Sequence, residues 1–163
     1  MGNIIDLNKT FDQYKYWSNA CGYLHHHGEY DIEYGDLPDQ LKRVYDEIFC
    51  EGEFSLNCYL TEYKGEYGVS LEAEYDREYA SDLGITYEEL VSAALAKASA
   101  LAEAFPQYKV MFGRDTEVWS NGDCMSQLVL FLPADITEED YKMVGTAADA
   151  IVWPKSKEFA VKH

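Results

Sequence analysis

The sequence predicts an α+β fold: an antiparallel sheet built from two hairpins, with helices packed on one face, in the order α-β-α-ββ-α-ββ-α. Two stretches, 54–76 and 108–132, each hold two runs of alternating apolar and polar residues around a turn signal. Each is followed by a run of helical period, and these runs open on Thr86 and Thr137, three residues before Glu89 and Asp140. No Pro-, Gly- or Ser-rich linker divides the 163 residues, which read as a single acidic α+β domain with residues 153–163 as a polar C-terminal tail.

The elements follow in order. In residues 11–24, Phe11, Tyr14, Trp17, Cys21 and Leu24 fall near helical spacing behind Asn8 or Thr10 as caps, which predicts a helix. In 29–34, Glu29, Asp31 and Glu33 alternate with Tyr30, Ile32 and Tyr34, the pattern of a short extra strand. "GDLPDQLKRVYDEIFCEG" reads as a helix: Asp36 is a capping type, Pro38 suits the first turn, Leu41, Val44, Tyr45, Ile48 and Phe49 form the stripe, and Gly52 stands at the stop.

In the first hairpin Phe54, Leu56, Cys58 and Leu60 face one way. After a turn near Lys64-Gly65, so do Tyr67, Val69, Leu71, Ala73 and Tyr75. A helix over 87–104 opens on a Thr86/Glu89 capping box and buries a stripe through Leu90, Ala94, Ala98 and Leu101. The second hairpin turns at Asn121-Gly122, with Gly113 marking a bulge. The last helix starts at Thr137, turns Tyr141, Val144, Ala148, Ile151 and Val152 inward, and ends before Pro154.

Composition narrows the function. An apolar fraction of 47 % supports a core without disulfides. The cysteines Cys21, Cys50, Cys58 and Cys124 form no C-x-x-C pair and point neither to a secreted scaffold nor to a redox enzyme. No run reaches the roughly 18 apolar residues of a membrane span. The N-terminus lacks a secretory pattern, and Asp6 replaces the Ser or Thr an acylation signal needs, so the expected location is the cytoplasm.

Net charge is −17, and residues 29–89 hold −14 of it, as eighteen acids against Lys42, Arg43, Lys64 and Arg77. That balance disfavours direct binding to nucleic acid, which needs a basic footprint.

Within the acidic segment, Glu72, Glu74 and Asp76 recur at every second residue, so on a strand they share one face. Glu29, Asp31 and Glu33 repeat the pattern. One reading is a plain solvated face, since like charges roughly 7 Å apart repel by only a few tenths of a kcal/mol in water. A second joins Glu72, Glu74 and Asp76 to Asp115 and Glu117 as a divalent-metal site for phosphoryl chemistry. Against it, no lysine stands nearby except Lys64 across the hairpin, and no basic substrate surface is apparent. Cys21, His25, His26 and His27 suggest zinc, but adjacent side chains diverge on a regular backbone, and the histidines read better as a polar turn. Signatures for nucleophilic serine and for phosphate loops are absent, and no cofactor or metal is expected.

The third reading is a binding surface. Nine of the 14 tyrosines lie in 29–89, and tyrosine is enriched at protein interfaces. Rows of carboxylates imitate a phosphate backbone, which carries about one charge per 1.7 Å of duplex axis. In small size, acidity and tyrosine content the chain resembles the acidic DNA-mimic proteins of phages and mobile elements, the antirestriction and anti-CRISPR inhibitors. That resemblance implies a non-enzymatic inhibitor that occupies the basic nucleic-acid channel of a host protein or defence nuclease. The expected contact residues are Glu29, Tyr30, Asp31, Glu33, Tyr59, Glu62, Glu66, Glu72, Glu74, Tyr75, Asp76 and Glu78. The alternatives are a regulatory or interaction domain with tyrosine-driven contacts and a carboxylate metal enzyme. A homodimer through a strand edge or a tyrosine-rich face is also compatible with the pattern.

Overall fold

The structure, a computed structural model, describes residues 4–10, 13–20, 23–26, 31–32, 34–48, 54–115 and 125–153. Strand β1 (Ile4–Asp6) leads into the short helix α1 (Leu7–Thr10). Asp6 closes this turn: its carboxylate accepts from the Asn8 amide at 3.0 Å, and its carbonyl accepts from the Thr10 hydroxyl at 3.1 Å.

The helix expected over 11–24 is not formed. Strand β2 (Tyr14–Ala20) and strand β3 (Tyr23–His26) occupy that segment, and β4 (Asp31–Ile32) follows. Aromatic residues at 14, 16 and 17 favour extended backbone, and β2 pairs antiparallel with β5 over Tyr14–Trp17, Tyr14 standing opposite Tyr63. His25 and His26 therefore lie in a strand, not a polar turn. Of the expected 29–34 strand, Asp31 and Ile32 form β4, while Tyr34 opens a 3-10 turn instead; Glu29, Tyr30 and Glu33 lie outside the described residues.

A single 3-10 turn (Tyr34–Asp36) precedes α2 (Asp39–Glu47), whose N-cap is Pro38. Strands β5 (Asn57–Tyr63) and β6 (Glu66–Asp76) form the first hairpin. Lys64 and Gly65 turn it with φ of 52° and 80°, the two positive values a type I′ turn requires. Helix α3 (Arg77–Leu83) was not expected; the Asp76 carboxylate caps it by accepting from the Tyr79 amide at 2.7 Å, and Gly84 ends it at φ 74°. Helix α4 (Tyr87–Ala104) opens on the expected capping box, Thr86 Oγ1 accepting from the Glu89 amide at 3.1 Å and Glu89 Oε1 from the Thr86 amide at 3.0 Å.

Strands β7 (Lys109–Asp115) and β8 (Met125–Pro133) pair as the second hairpin; its expected Asn121-Gly122 turn lies outside the described residues. Pairing runs unbroken through Gly113↔Gln127, so Gly113 is not a bulge. A Cβ at Gly113 would meet the Leu7 side chain at 2.9 Å, and the glycine serves to admit α1. Helix α5 (Glu138–Val152) is capped by Thr137. Trp153, assigned above to the tail, belongs to the fold: its ring lies 5.0 Å from that of Tyr75.

Among the described residues eight strands run β1-β7-β8-β6-β5-β2-β3-β4; β1 joins β7 in parallel and every other of these pairs is antiparallel. The class is α+β, as expected. One face buries Leu60, Val69, Leu71, Leu128, Leu130 and Leu132 against α2, α3, α4 and α5, each such leucine contributing about 1.5–3 kcal/mol. The opposite face is also covered. There Leu7, Tyr14, Tyr63, Met111, Val129 and Phe131 form a second cluster. Helix α1 thus departs from the expected one-faced helical layer.

Candidate functional site

The acid row of β6 begins in this second cluster. Pairing sets Glu72 opposite Asn57 and Val129, and Glu74 opposite Gln127. Phe131, Val129 and Met111 share that face and make it partly apolar. Glu72 is therefore 1 % exposed rather than solvated. Its Oε2 accepts hydrogen bonds from the Tyr14 hydroxyl and, at 2.7 Å, from the Ser70 hydroxyl; its Oε1 accepts from Gln127 Nε2 at 2.5 Å. Burial pushes its carboxyl above the ordinary value. The bonds from Tyr14, Ser70 and Gln127 oppose that shift, and the charge of Glu74 adds to it.

The rest of the row divides by role. Glu74 is exposed, and partial loss of hydration, then the Asp76 charge, raise its carboxyl. Asp76 is half-buried and caps α3. The expected row of three equivalent carboxylates is thus a buried acceptor, a surface charge and a helix cap. The second row is not beside it: β5, β2 and β3 stand between β6 and the β4 strand that carries Asp31.

The remaining expected contact residues are scattered. Glu62 and Tyr59 are half-buried on β5. Glu66 is exposed and pairs with Lys109 at 3.0 Å. Glu78 is exposed on α3. Tyr75 is fully buried: its hydroxyl donates to the Val152 carbonyl at 3.3 Å, and burial, then Tyr79, push its ionisation upward. It is a core residue and not a contact residue.

One group of exposed carboxylates is close in sequence. Helix α3 starts where β6 ends, so Glu74, Glu78 and Asp82 fall within nine residues of chain, all exposed. Glu78 and Asp82 stand four apart, on one side of the helix. None of the three has a cation partner among the described residues. Asp82 was not among the expected contacts; an Asp76 cap and a Gly84 stop would have revealed the helix that aligns it with Glu78.

Several described bases are paired within the chain. Arg43 pairs with Glu47 at 3.1 Å, Lys142 with Glu138 at 2.7 Å, and Lys42 with Asp39 at 3.9 Å. Arg114 forks onto Glu88 and lies 5.3 Å from the Tyr87 ring centre. That fork holds the Glu88 carboxyl below its usual range. Among the described residues no three His, Cys, Asp or Glu side chains converge to hold a metal ion, and no helix is long and apolar enough to cross a membrane. No known protein family, curated protein or solved structure matches the chain.

Proposed function

We propose that this chain is a non-enzymatic acidic binding protein that occupies the basic nucleic-acid channel of another protein, a defence nuclease being the most specific case. The supporting observation is that Glu74, Glu78 and Asp82 are three exposed carboxylates with no cation partner among the described residues, in a chain of net charge −17. The buried Glu72 and Tyr75 leave the contact set; Glu74 and Glu78 stay and Asp82 joins. A tyrosine-driven interface has less support, because Tyr14, Tyr63, Tyr75 and Tyr141 are core residues, while Tyr34 is 41 % exposed.

Charges on the rim of an interface act mainly on association rate and its salt dependence. The test is surface capture by a panel of basic nucleic-acid-binding proteins, at low and moderate salt, with the wild type and the triple variant Glu74→Lys, Glu78→Lys, Asp82→Lys. The reading expects saturable binding to at least one member, weakened at least about tenfold by the triple reversal and weakened again by salt. Binding indifferent to both changes would refute it.

A further inference from the structure

The Tyr14–Glu72 contact demands a bend. Tyr14 pairs with Tyr63, and Tyr63 with Glu66, so Tyr14 is level with one end of β6. Glu72 lies six residues further along, roughly 20 Å at about 3.4 Å per residue. That is several times the reach of a tyrosine side chain. The bond forms because the sheet curls and brings the Tyr14 end of β2 over the face of β6 and β8. Strands β3 and β4 pair onwards from β2, so they join the sheet through it.

The anchor is a carboxyl without a counter-ion among the described residues. From β2 it meets Tyr14, from β6 Ser70 and Glu74, from β8 Gln127 and Val129, and from β5 Asn57. Glu74 is the one charged group among these, and it is negative. A carboxylate buried without a cation favours its neutral form. When neutral, its O–H donates to a hydroxyl oxygen of Tyr14 or Ser70, while the other oxygen accepts from Gln127, so the cluster stays bonded.

We propose that Glu72 is a proton-controlled latch: its protonated carboxyl holds β2 folded across the sheet through Tyr14, and loss of that proton to solvent loosens β2, β3 and β4 from the β6–β8 face. The direction follows from burial. Once β2 opens, water reaches Glu72 and its carboxyl returns toward the ordinary carboxylate range, below where it stands in the closed form. The closed form is therefore fully favoured below that range and loses ground as pH rises past it. In that window the closed-to-open ratio falls by up to about tenfold per pH unit.

The experiment is hydrogen exchange of backbone amides from about pH 4 to 8, corrected for intrinsic rates, on wild type, Glu72→Gln and Tyr14→Phe. In wild type, protection in residues 14–20 and 23–26 should fall with rising pH while β6 and β8 stay protected. Glu72→Gln, permanently neutral, should abolish that trend. Tyr14→Phe should lower protection of the same segments at every pH and spare β6 and β8. If wild-type protection of these strands does not change with pH, or Glu72→Gln follows the wild-type profile, the latch is wrong. Should Glu72→Gln not fold, the wild-type profile and Tyr14→Phe decide: unchanged protection in Tyr14→Phe also overturns it.

Discussion

Replacing Gly68 by alanine tests the sheet that places every acid discussed above. Gly68 pairs with Thr61 on β5 and Pro133 on β8. A Cβ there would lie 2.2 Å from the Leu132 carbonyl oxygen and 2.6 Å from Phe131 Cζ. Unstrained contacts lie near about 3.5 Å, so β6 and β8 must part by roughly 1 Å or the Phe131 ring must leave its cluster. The neighbouring bond from the Ala134 amide to the Tyr67 carbonyl, 3.1 Å long, then stretches past the useful range. Overpacking costs about 1–3 kcal/mol and the lost bond about 1 kcal/mol, together about 2–4 kcal/mol. For a domain of this size that lowers Tm by roughly 10 °C. Urea denaturation followed by circular dichroism measures it. Gly65→Ala is the control: its Cβ meets nothing within 4 Å, and its φ of 80° carries only the positive-φ cost of about 1–2 kcal/mol. A Gly68→Ala loss below about 1 kcal/mol, or one no larger than that of Gly65→Ala, would refute this packing.

Glu72→Ala leaves Tyr14, Ser70 and Gln127 without their shared partner, and should cost about 3 kcal/mol or more in urea titration at pH 5. Thr86→Ala removes one half of the α4 capping box and should cost about 1 kcal/mol, read as a shift in urea midpoint at unchanged slope. Arg114→Ala should return the Glu88 carboxyl to the ordinary range, followed by carboxyl NMR across pH 2–7. Because Glu88 is held low in the wild type, the contribution of this pair is present above the ordinary carboxyl range and fades as pH falls.

Local signals made most of the fold legible. The Thr86 and Thr137 caps, the Lys64-Gly65 turn and the alternation of β5 and β6 each determine structure within a few residues. Residues 11–24 misled because five apolar positions matched helical spacing while Tyr14, Tyr16 and Trp17 favour a strand; pairing with β5, distant in sequence, decided between them. The acid row misled for a similar reason. Period-two spacing says that Glu72, Glu74 and Asp76 share a face, but not what covers it. A signal was present in "LVLFL" at 128–132: a continuous apolar run implies a strand buried on both faces. Its neighbour β6 then has a covered outer face too, and Glu72 opposite Val129 lies beneath that cover. Helix α3 was also recoverable, from Asp76 as cap and Gly84 as stop. The fold-over of β2, which buries Glu72 under Tyr14, depends on tertiary curvature that no local pattern encodes.

If exposed carboxylates let this protein stand in for nucleic acid, as proposed, it should displace a duplex from a basic defence nuclease. Fluorescence anisotropy of a labelled duplex bound to the nuclease, titrated with this protein, measures that displacement. The expected result is stoichiometric release of the duplex, lost when Glu74, Glu78 and Asp82 are all changed to lysine. Binding to the nuclease with the duplex retained, or equal release by the triple variant, would contradict it.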